Sequence, residues 1–385
     1  MNVRQILVSI EDINLLDWLD SQTLFPKVYW QSRDNQLRVA GVGSALISTK
    51  IPILPKGSPL RFFGGRSFCQ KTWGSFPSCY FFVPLIELEQ KNNQSHLIFN
   101  IINDSLPPQP QPTTALSITP YQWIHRLNSI DQNRWEIEIK AYLELIKKQT
   151  LQKIVCARQT TLTATKMINP IEILKQLKES SQNVTLFGFQ MNKEEAFIGA
   201  TPEKLYERNS NQIICDILAA TAPLGHSEAL KQLKEKREFE YVKRFIKKTL
   251  SPLSTQITLE QDRVIHTGSV HHLYNRLLAT LNNNKTDRHL IERLHPTPAM
   301  AGLPIKQALQ FLAEKENFIR GWYAAPIGWI RDQAADICVG IRSAYIHKER
   351  MHLFSAAGIV EGSVPLKEWE ELESKIQPFL TIGEK

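Results

Sequence analysis

Four glutamates within six positions make the stretch VPLKEWEELESKI the first candidate for chemistry in this 385-residue sequence. On a helix with about 100° per residue, Glu370 and Glu373 fall on one side. Glu368 and Glu371 fall on the other side, together with the apolar residues. Runs of this kind usually form ion pairs on a solvated surface. Two carboxylates on an apolar face are costly to bury, however, unless they are paired or bind a cation.

A second pair with the same spacing occurs in the charged stretch KEKREFEYVKRFIKK. Glu235 and Glu238 lie about 60° apart on a helical projection and share their side with Phe239, Val242 and Ile246. Two helices that each offer such a pair could hold one hard divalent cation between them. Mg²⁺ is suitable because it prefers oxygen ligands and needs few carboxylates from the protein. Pairing of the glutamates with lysines or arginines is the alternative, and the spacing leaves both open.

The composition indicates a globular protein and argues against several other classes. Hydrophobic residues make up 42% and charged residues 22% of the chain, and no apolar run approaches the roughly 20 residues that span a bilayer. The five cysteines are scattered and form no CxxC pair, which favours reduced thiols, a cytoplasmic location and no zinc site. Acidic residues within the first apolar stretch argue against a signal peptide. The net charge of +8 is spread along the chain without a nucleic-acid-binding motif, so we expect neither nucleic acid nor membrane as a partner.

The elements that must position these residues follow from periodicity. Short apolar runs separated by turn residues predict antiparallel strands in residues 1–104, and the proline-rich residues 105–120 exclude regular structure. Helical periodicity predicts a helix at 120–149. Beyond it we predict a strand KIVCARQTTLTA, a helix near 170–180, three strands within 185–221, the charged helix, and strands mixed with helices near 304–315 and 365–379. This order is typical of an α+β fold with large antiparallel sheets flanked by helices.

Ten short stretches, in the same order along the chain, resemble the chorismate-utilising enzymes and among them the isochorismate synthases. They are KIVCAR, GATPEKL, LAAT, KEKREFEYV, SVHHL, LHPTPAMAGLP, RGWYAAPIGW, GIRSAY, AAGIVEGS and KEWEELESK. The resemblance covers about residues 120–385 and, more faintly, FGGRSF. It implies an α+β (α/β complex) fold in a single large domain over residues 1–385, with two large antiparallel sheets packed face to face and helices outside. Residues 1–104 would be its divergent strand-rich part, 105–120 a connection and 121–385 the catalytic core.

The resemblance also implies roles for individual residues. Glu238 and Glu371 match direct ligands of a Mg²⁺ ion, supported by Glu235 and Glu368. The positions that match substrate-binding residues are His272, Thr297, Tyr323, Arg342, Ala357, Gly358 and Lys375. The substrate would be chorismate, and the protein a monomer.

Lys153 and Glu203 match the general base and the general acid of isochorismate formation. Lys153 would activate water for attack at C2 and must act in its neutral form, whereas Glu203 would protonate the leaving C4 hydroxyl and needs a raised pKa. A lysine at this position is typical of family members that deliver water, and HPTPA favours isochorismate formation. Two alanines, Ala220 and Ala356, stand where many members have glycine, which leaves the local substrate geometry open.

Three alternatives remain at this point. A salicylate synthase would form isochorismate and then eliminate pyruvate in the same site. A catalytically inactive relative would only bind, although the retained Lys153, Glu203 and glutamate pairs argue against it. A nucleic-acid-binding protein would show salt-sensitive retention on nucleic acid. For a synthase, the product would feed menaquinone or siderophore and salicylate biosynthesis.

Overall fold

The computed structural model describes residues 3–223, 228, 230, 233–267, 270–283 and 285–382. This part of the chain contains seven α-helices: α1 (Leu15–Ser21), α2 (Gln132–Lys147), α3 (Pro170–Ser180), α4 (Leu233–Leu250), α5 (Asp287–Leu294), α6 (Ile305–Lys315) and α7 (Pro365–Leu380). No described helix is both long and apolar enough to cross a lipid bilayer.

The strands of the first half are β1 (Val3–Ile10), β2 (Lys27–Gln31), β3 (Leu37–Val42), β4 (Leu46–Ser48), β5 (Phe62–Arg66), β6 (Cys79–Val83), β7 (Ile86–Lys91), β8 (Gln94–Ile102), β9 (Trp123–Asn128), β10 (Lys153–Ala164) and β11 (Thr185–Gln190). Those of the second half are β12 (Glu195–Thr201), β13 (Lys204–Asn209), β14 (Gln212–Pro223), β15 (Ser254–Leu259), β16 (Arg263–Thr267), β17 (Val270–Leu281), β18 (Gly302–Leu303), β19 (Pro326–Arg331), β20 (Ala334–Val339), β21 (Ser343–His347) and β22 (Arg350–Ile359).

The strands form two large sheets in which the paired strands run antiparallel. The first has twelve strands in the order β1-β8-β7-β3-β2-β11-β12-β21-β22-β10-β18, with β9 also paired to β10. The second has ten strands in the order β15-β17-β14-β13-β20-β19-β5-β6-β4, with β16 also paired to β17. Strands from the first hundred residues enter both sheets, so the N-terminal part of the chain is built into the same architecture as the rest.

The main core lies between the two sheets and is rich in aromatic side chains. Phe187 and Phe197 from the first sheet pack 5.3 Å apart, centroid to centroid, in the same cluster as Tyr206 and Ile337 from the second. Separate apolar clusters attach α1 and α3, and then α2, α6 and α7, to the first sheet. The predicted α+β fold with two large antiparallel sheets is confirmed.

Several local predictions were wrong. Residues 123–128, expected within a helix, form β9 because they pair with β10. The short helix α1 lies where only strands were expected. The region 185–221 contains four strands, since Pro202 follows β12 and cannot donate a ladder hydrogen bond. Residues 105–120 form no helix or strand, as expected.

Candidate active site

A cavity of about 90 Å³ lies where α4 and α7 meet the two sheets. Eight of the thirteen residues predicted to act in catalysis or binding line it: Glu203, Glu238, His272, Tyr323, Arg342, Gly358, Glu371 and Lys375. They come from α4, α7, β17, β22 and the segments after β12, α6 and β20. The fold therefore gathers residues that are up to 172 positions apart in the sequence.

Lys153 and Glu238 form an ion pair at one side of this cavity. Lys153 is the first residue of β10, its side chain is 1% exposed, and its Nζ lies 2.7 Å from Glu238 Oε1. Glu238 is held there because Phe239, Val242 and Ile246 bury the apolar face of α4. The close approach of Glu238 to β22 requires Gly358, since a Cβ at that position would lie 2.4 Å from Glu238 Oε1.

The α7 pair is arranged similarly. Glu371 Oε1 lies 2.5 Å from Lys375 Nζ, one helical turn away, and Lys375 also donates to the carbonyl of Ala356 at 2.7 Å. Burial acts to raise the pKa of Glu371. Lys375, Lys234 and Arg342 together outweigh that effect and hold its pKa below the ordinary value.

Glu368 and Glu235 lie deeper, around Lys234. Lys234 Nζ donates to Glu368 Oε1 at 2.6 Å and lies 3.9 Å from Glu235 Oε1. Burial and the nearby charge of Glu371 raise the pKa of Glu368 to about 7 in spite of that lysine. Glu235 Oε2 is buried and has no hydrogen-bond partner among the described residues. Both carboxylates are thus incompletely compensated.

These carboxylates fit a hard cation by their chemistry. All four predicted ligands offer oxygen atoms, Glu235 has an unpaired buried oxygen, and a lysine ammonium already lies beside each carboxylate. Over the described ranges, no three His, Cys, Asp or Glu side chains are grouped closely enough to hold a metal ion. Each of the four glutamates lies beside a lysine in this structure, and the assignment of a metal to them stays a prediction.

Glu203 lies in the cavity wall, directly after β12. Its peptide nitrogen donates to Thr201 Oγ1 at 3.3 Å, and its carbonyl accepts from the backbone of Val339 at 3.0 Å. Burial raises the pKa of Glu203 to about 8, the direction that a general acid requires; Lys153 opposes the shift and Asp216 adds to it. At neutral pH this carboxyl is therefore mostly protonated.

Comparison with known proteins agrees with these features. The family model described as "Chorismate binding enzyme" matches residues 49–382. The chain belongs to the chorismate-binding enzymes. It is 30% identical to isochorismate synthase MenF of Haemophilus influenzae over 397 residues, covering 97% of this chain and 90% of that protein. The chloroplastic isochorismate synthase of Catharanthus roseus is 29% identical, with 97% and 79% covered.

Solved structures give the same result for the fold. The solved structure of MenF, the menaquinone-specific isochorismate synthase from Escherichia coli, matches this chain with a TM-score of 0.88 and 25% identity. The match covers 99% of this chain and 94% of that one. The expected membership of the chorismate-utilising enzymes is thus confirmed, and the protein is an enzyme of that family.

In this chorismate-binding enzyme, Arg342 lies in the cavity wall and is placed to hold an anion. Its backbone is left-handed, with φ of 50°, and its carbonyl accepts from the backbone of Ala200 at 3.0 Å. Within the described residues, the one hydrogen bond found for its guanidinium is a long one, 3.4 Å, to the carbonyl of Lys375. Burial lowers its pKa, although Glu371 opposes this. The guanidinium thus keeps donors available on the cavity side.

Tyr323 and the left-handed Ala324 form the wall near Arg342. The Tyr323 ring stacks on Phe354 with centroids 4.9 Å apart. Ala324 has φ of 56°, and its amide donates to the carbonyl of Gly340 at 2.9 Å. Unusual backbone conformations of non-glycine residues concentrate at functional sites, and two of them line this cavity.

Two predicted substrate contacts are placed differently by this enzyme's fold. Ala357 turns its methyl group to the opposite face of β22, where it packs with Ile359 and Leu372. Its neighbour Ala356 lines the cavity instead. Thr297 is buried, and its hydroxyl accepts from the backbone of Ala299, so it shapes the turn behind the cavity rather than its surface.

The two alanines expected at family glycine positions are Ala356 and Ala220. Ala356 lies inside β22 opposite Ala157, in an ordinary strand conformation, so its methyl group causes no backbone strain there. The side chain of Ala220 falls outside the described part of the chain.

Arg320 is a cavity residue that the sequence did not single out. It is 1% exposed, pairs with Glu316, and donates to the carbonyls of Val155 and Met300 at 2.8 and 2.9 Å. It lies in the quoted stretch RGWYAAPIGW, so its position could have been marked. Its role as a brace between β10 and the segment before β18 depends on contacts that only the fold reveals.

Proposed function

We propose that this chorismate-binding enzyme is an isochorismate synthase, which converts chorismate to isochorismate. The observation that carries the proposal is Glu203, a buried carboxyl with its pKa raised to about 8, in a cavity whose wall residue Glu238 pairs with Lys153. A protonated acid and a lysine base in one site are what addition of water and loss of a hydroxyl require. The named relatives from Haemophilus influenzae and Catharanthus roseus support the same activity.

In this proposal, the cationic side chains of the cavity bind the substrate. Arg342 has donors available for a two-pronged contact with a carboxylate, which a guanidinium makes better than an ammonium. Lys375, which lies on α7 and donates to the carbonyl of Ala356 on β22, would hold a second anionic group. His272 and Tyr323 would complete the walls around the ring, together with Gly358.

The reaction balances without a co-reactant other than water. Lys153, in its neutral form, takes a proton from water as the oxygen bonds to C2. The ring double bonds shift, the C4–O bond breaks, and Glu203 supplies the proton with which the C4 hydroxyl leaves as water. To serve as base, Lys153 must separate from Glu238, which frees that carboxylate.

We propose that Glu238 and Glu371 would hold Mg²⁺, with Glu235 and Glu368 as supporting acids. The all-oxygen donor set and the unpaired buried oxygen of Glu235 support this. When bound, the ion acts as a Lewis acid that draws electron density toward the ring carboxylate. Lys234, now between Glu368 and Glu235, would have to move away.

Product analysis tests the proposal. Purified protein is incubated with chorismate and Mg²⁺, and the products are separated by chromatography. Isochorismate is the expected product. Salicylate, recognised by its fluorescence, would identify the enzyme as a salicylate synthase, and no turnover would indicate a binding protein. The product would feed menaquinone or siderophore and salicylate biosynthesis; a monomeric state and a cytoplasmic location stay predictions from the sequence.

A further inference from the structure

The peptide unit between Pro202 and Glu203 is hydrogen-bonded through both its carbonyl and its amide. Arg33, in the turn between β2 and β3, donates from Nη2 to the carbonyl of Pro202 at 2.7 Å. On the other side of the same peptide, the Glu203 amide donates to Thr201 Oγ1, whose hydroxyl donates to the carbonyl of Val339 at 2.6 Å. A residue 170 positions away in sequence therefore fixes the backbone from which the Glu203 side chain projects.

Arg33 is itself held by a buried carboxylate on β14. Arg33 Nη1 lies 2.7 Å from Asp216 Oδ2, and the Asp216 side chain is 1% exposed. Tyr274 donates its hydroxyl to Asp216 Oδ1 at 2.6 Å, and Arg276 Nε lies 3.8 Å from the same oxygen. A buried ion pair of this kind is weak evidence for stability, because desolvation cancels much of its attraction. The reaction proposed above gives Asp216 no role.

We propose that Arg33 and Asp216 are positioning residues for Glu203: Arg33 fixes the Pro202–Glu203 peptide, and the Asp216 carboxylate orients Arg33. This inference rests on the proposed role of Glu203 as general acid. It assigns a function to the turn between β2 and β3, in a part of the chain where the sequence showed no site residue.

Charged groups around Glu203 also allow the contributions of Arg33 and Asp216 to be told apart. Apart from burial, the groups that act on its pKa are Lys153 from β10, Asp216 from β14, Lys375 from α7 and Arg33. The three cations lower the pKa, and Asp216 is the one anion among them that raises it. The titratable and charged residues that further line the cavity are Glu238, His272, Arg320, Tyr323, Arg342 and Glu371. Loss of Asp216 and loss of Arg33 should therefore move the titration of Glu203 in opposite directions.

The test is an infrared titration of the protonated Glu203 carboxyl, assigned as the band that disappears in Glu203→Gln. We expect Asp216→Asn to shift the midpoint to lower pH and Arg33→Gln to shift it to higher pH, each by at least about 0.5 unit. Arg33→Lys keeps the charge but loses the fork that reaches both partners. It should leave the midpoint near the wild-type value and still lower kcat, with little change in KM. Arg38→Gln, on the adjacent β3, is the matched control and should change none of these quantities.

Midpoints that stay unchanged in both variants, or that shift in the same direction, would overturn the inference, provided that circular dichroism shows both variants to be folded. An Arg33→Lys variant with wild-type kcat would overturn the part that concerns the peptide. Wild-type protein that forms no isochorismate would refute the proposed function instead, and the midpoints would still decide on Arg33 and Asp216.

Discussion

Replacing Glu203 with glutamine should slow turnover and, at the same time, stabilise the protein at alkaline pH. The carboxyl is buried, and its pKa rises from 4.5 to about 8 on folding. The folded state therefore binds a proton that the unfolded state releases between these values, so the wild type loses stability as the pH rises through this interval. Glutamine has the same shape and does not titrate, so the variant is spared this loss.

The size of the effect follows from the same interval. Each pH unit between the two pKa values contributes up to about 1.4 kcal/mol, so the variant should gain on the wild type by up to about 4 kcal/mol between pH 5 and 8. Removing a general acid should lower kcat by about 10²- to 10⁴-fold. Urea unfolding at pH 5, 6.5 and 8, with kcat and KM at each pH, measures both.

The exposed residue Glu370 provides the control, because Glu370→Gln should alter neither turnover nor the pH dependence of stability. A Glu203→Gln variant whose stability difference from the wild type is constant between pH 5 and 8 would contradict the raised pKa. One with wild-type kcat would contradict the catalytic role.

Four further substitutions test the other parts of the site. Glu238→Gln or Glu371→Gln should abolish Mg²⁺-dependent turnover and leave the far-ultraviolet circular dichroism unchanged, whereas full activity in either at ordinary Mg²⁺ would rule out the metal assignment. Arg342→Lys should raise KM and lower kcat, since an ammonium cannot make the two-pronged contact; unchanged steady-state kinetics would make Arg342 structural. Lys153→Ala should lower kcat by about 10²- to 10⁴-fold with a smaller effect on KM, and wild-type turnover would refute its role as base.

The helical faces of α4 and α7 could be predicted from sequence because each buries a regular apolar stripe. Phe239, Val242 and Ile246 fix which side of α4 faces the core, and Leu372 and Ile376 do the same for α7. The strand β10 was predicted with its observed bounds, since it is a continuous β-rich run between two helices.

Periodicity could not predict the ion pairs and strand pairings that involve residues far away in the sequence. Glu373 was assigned to the outer side of its helix, yet it pairs with Arg126 and with the fully buried Arg158 of β10 at 2.6 and 2.7 Å. The strand β9 exists because β10 offers it an edge, which its own residues do not reveal. Glu373 is consequently unsuitable as a neutral control, and Glu370 takes that place.

The Arg33–Asp216 pair was missed for a similar reason. Both residues are ordinary in their local sequence, and neither was assigned a role from the sequence. Their proximity arises only when β2 of the first sheet and β14 of the second are brought together by the packing of the two sheets. The left-handed backbones of Ala324 and Arg342 were equally hidden, because neither residue type favours that conformation.

The most direct test of water addition is the fate of the solvent oxygen. Chorismate and Mg²⁺ are incubated with the enzyme in water enriched in ¹⁸O, and isochorismate is analysed by mass spectrometry and by NMR at C2. If Lys153 activates water and Glu203 expels the C4 hydroxyl, each isochorismate formed in a single turnover carries one solvent oxygen on C2. Isochorismate that retains the original oxygen would show migration of the substrate's own hydroxyl and contradict the account.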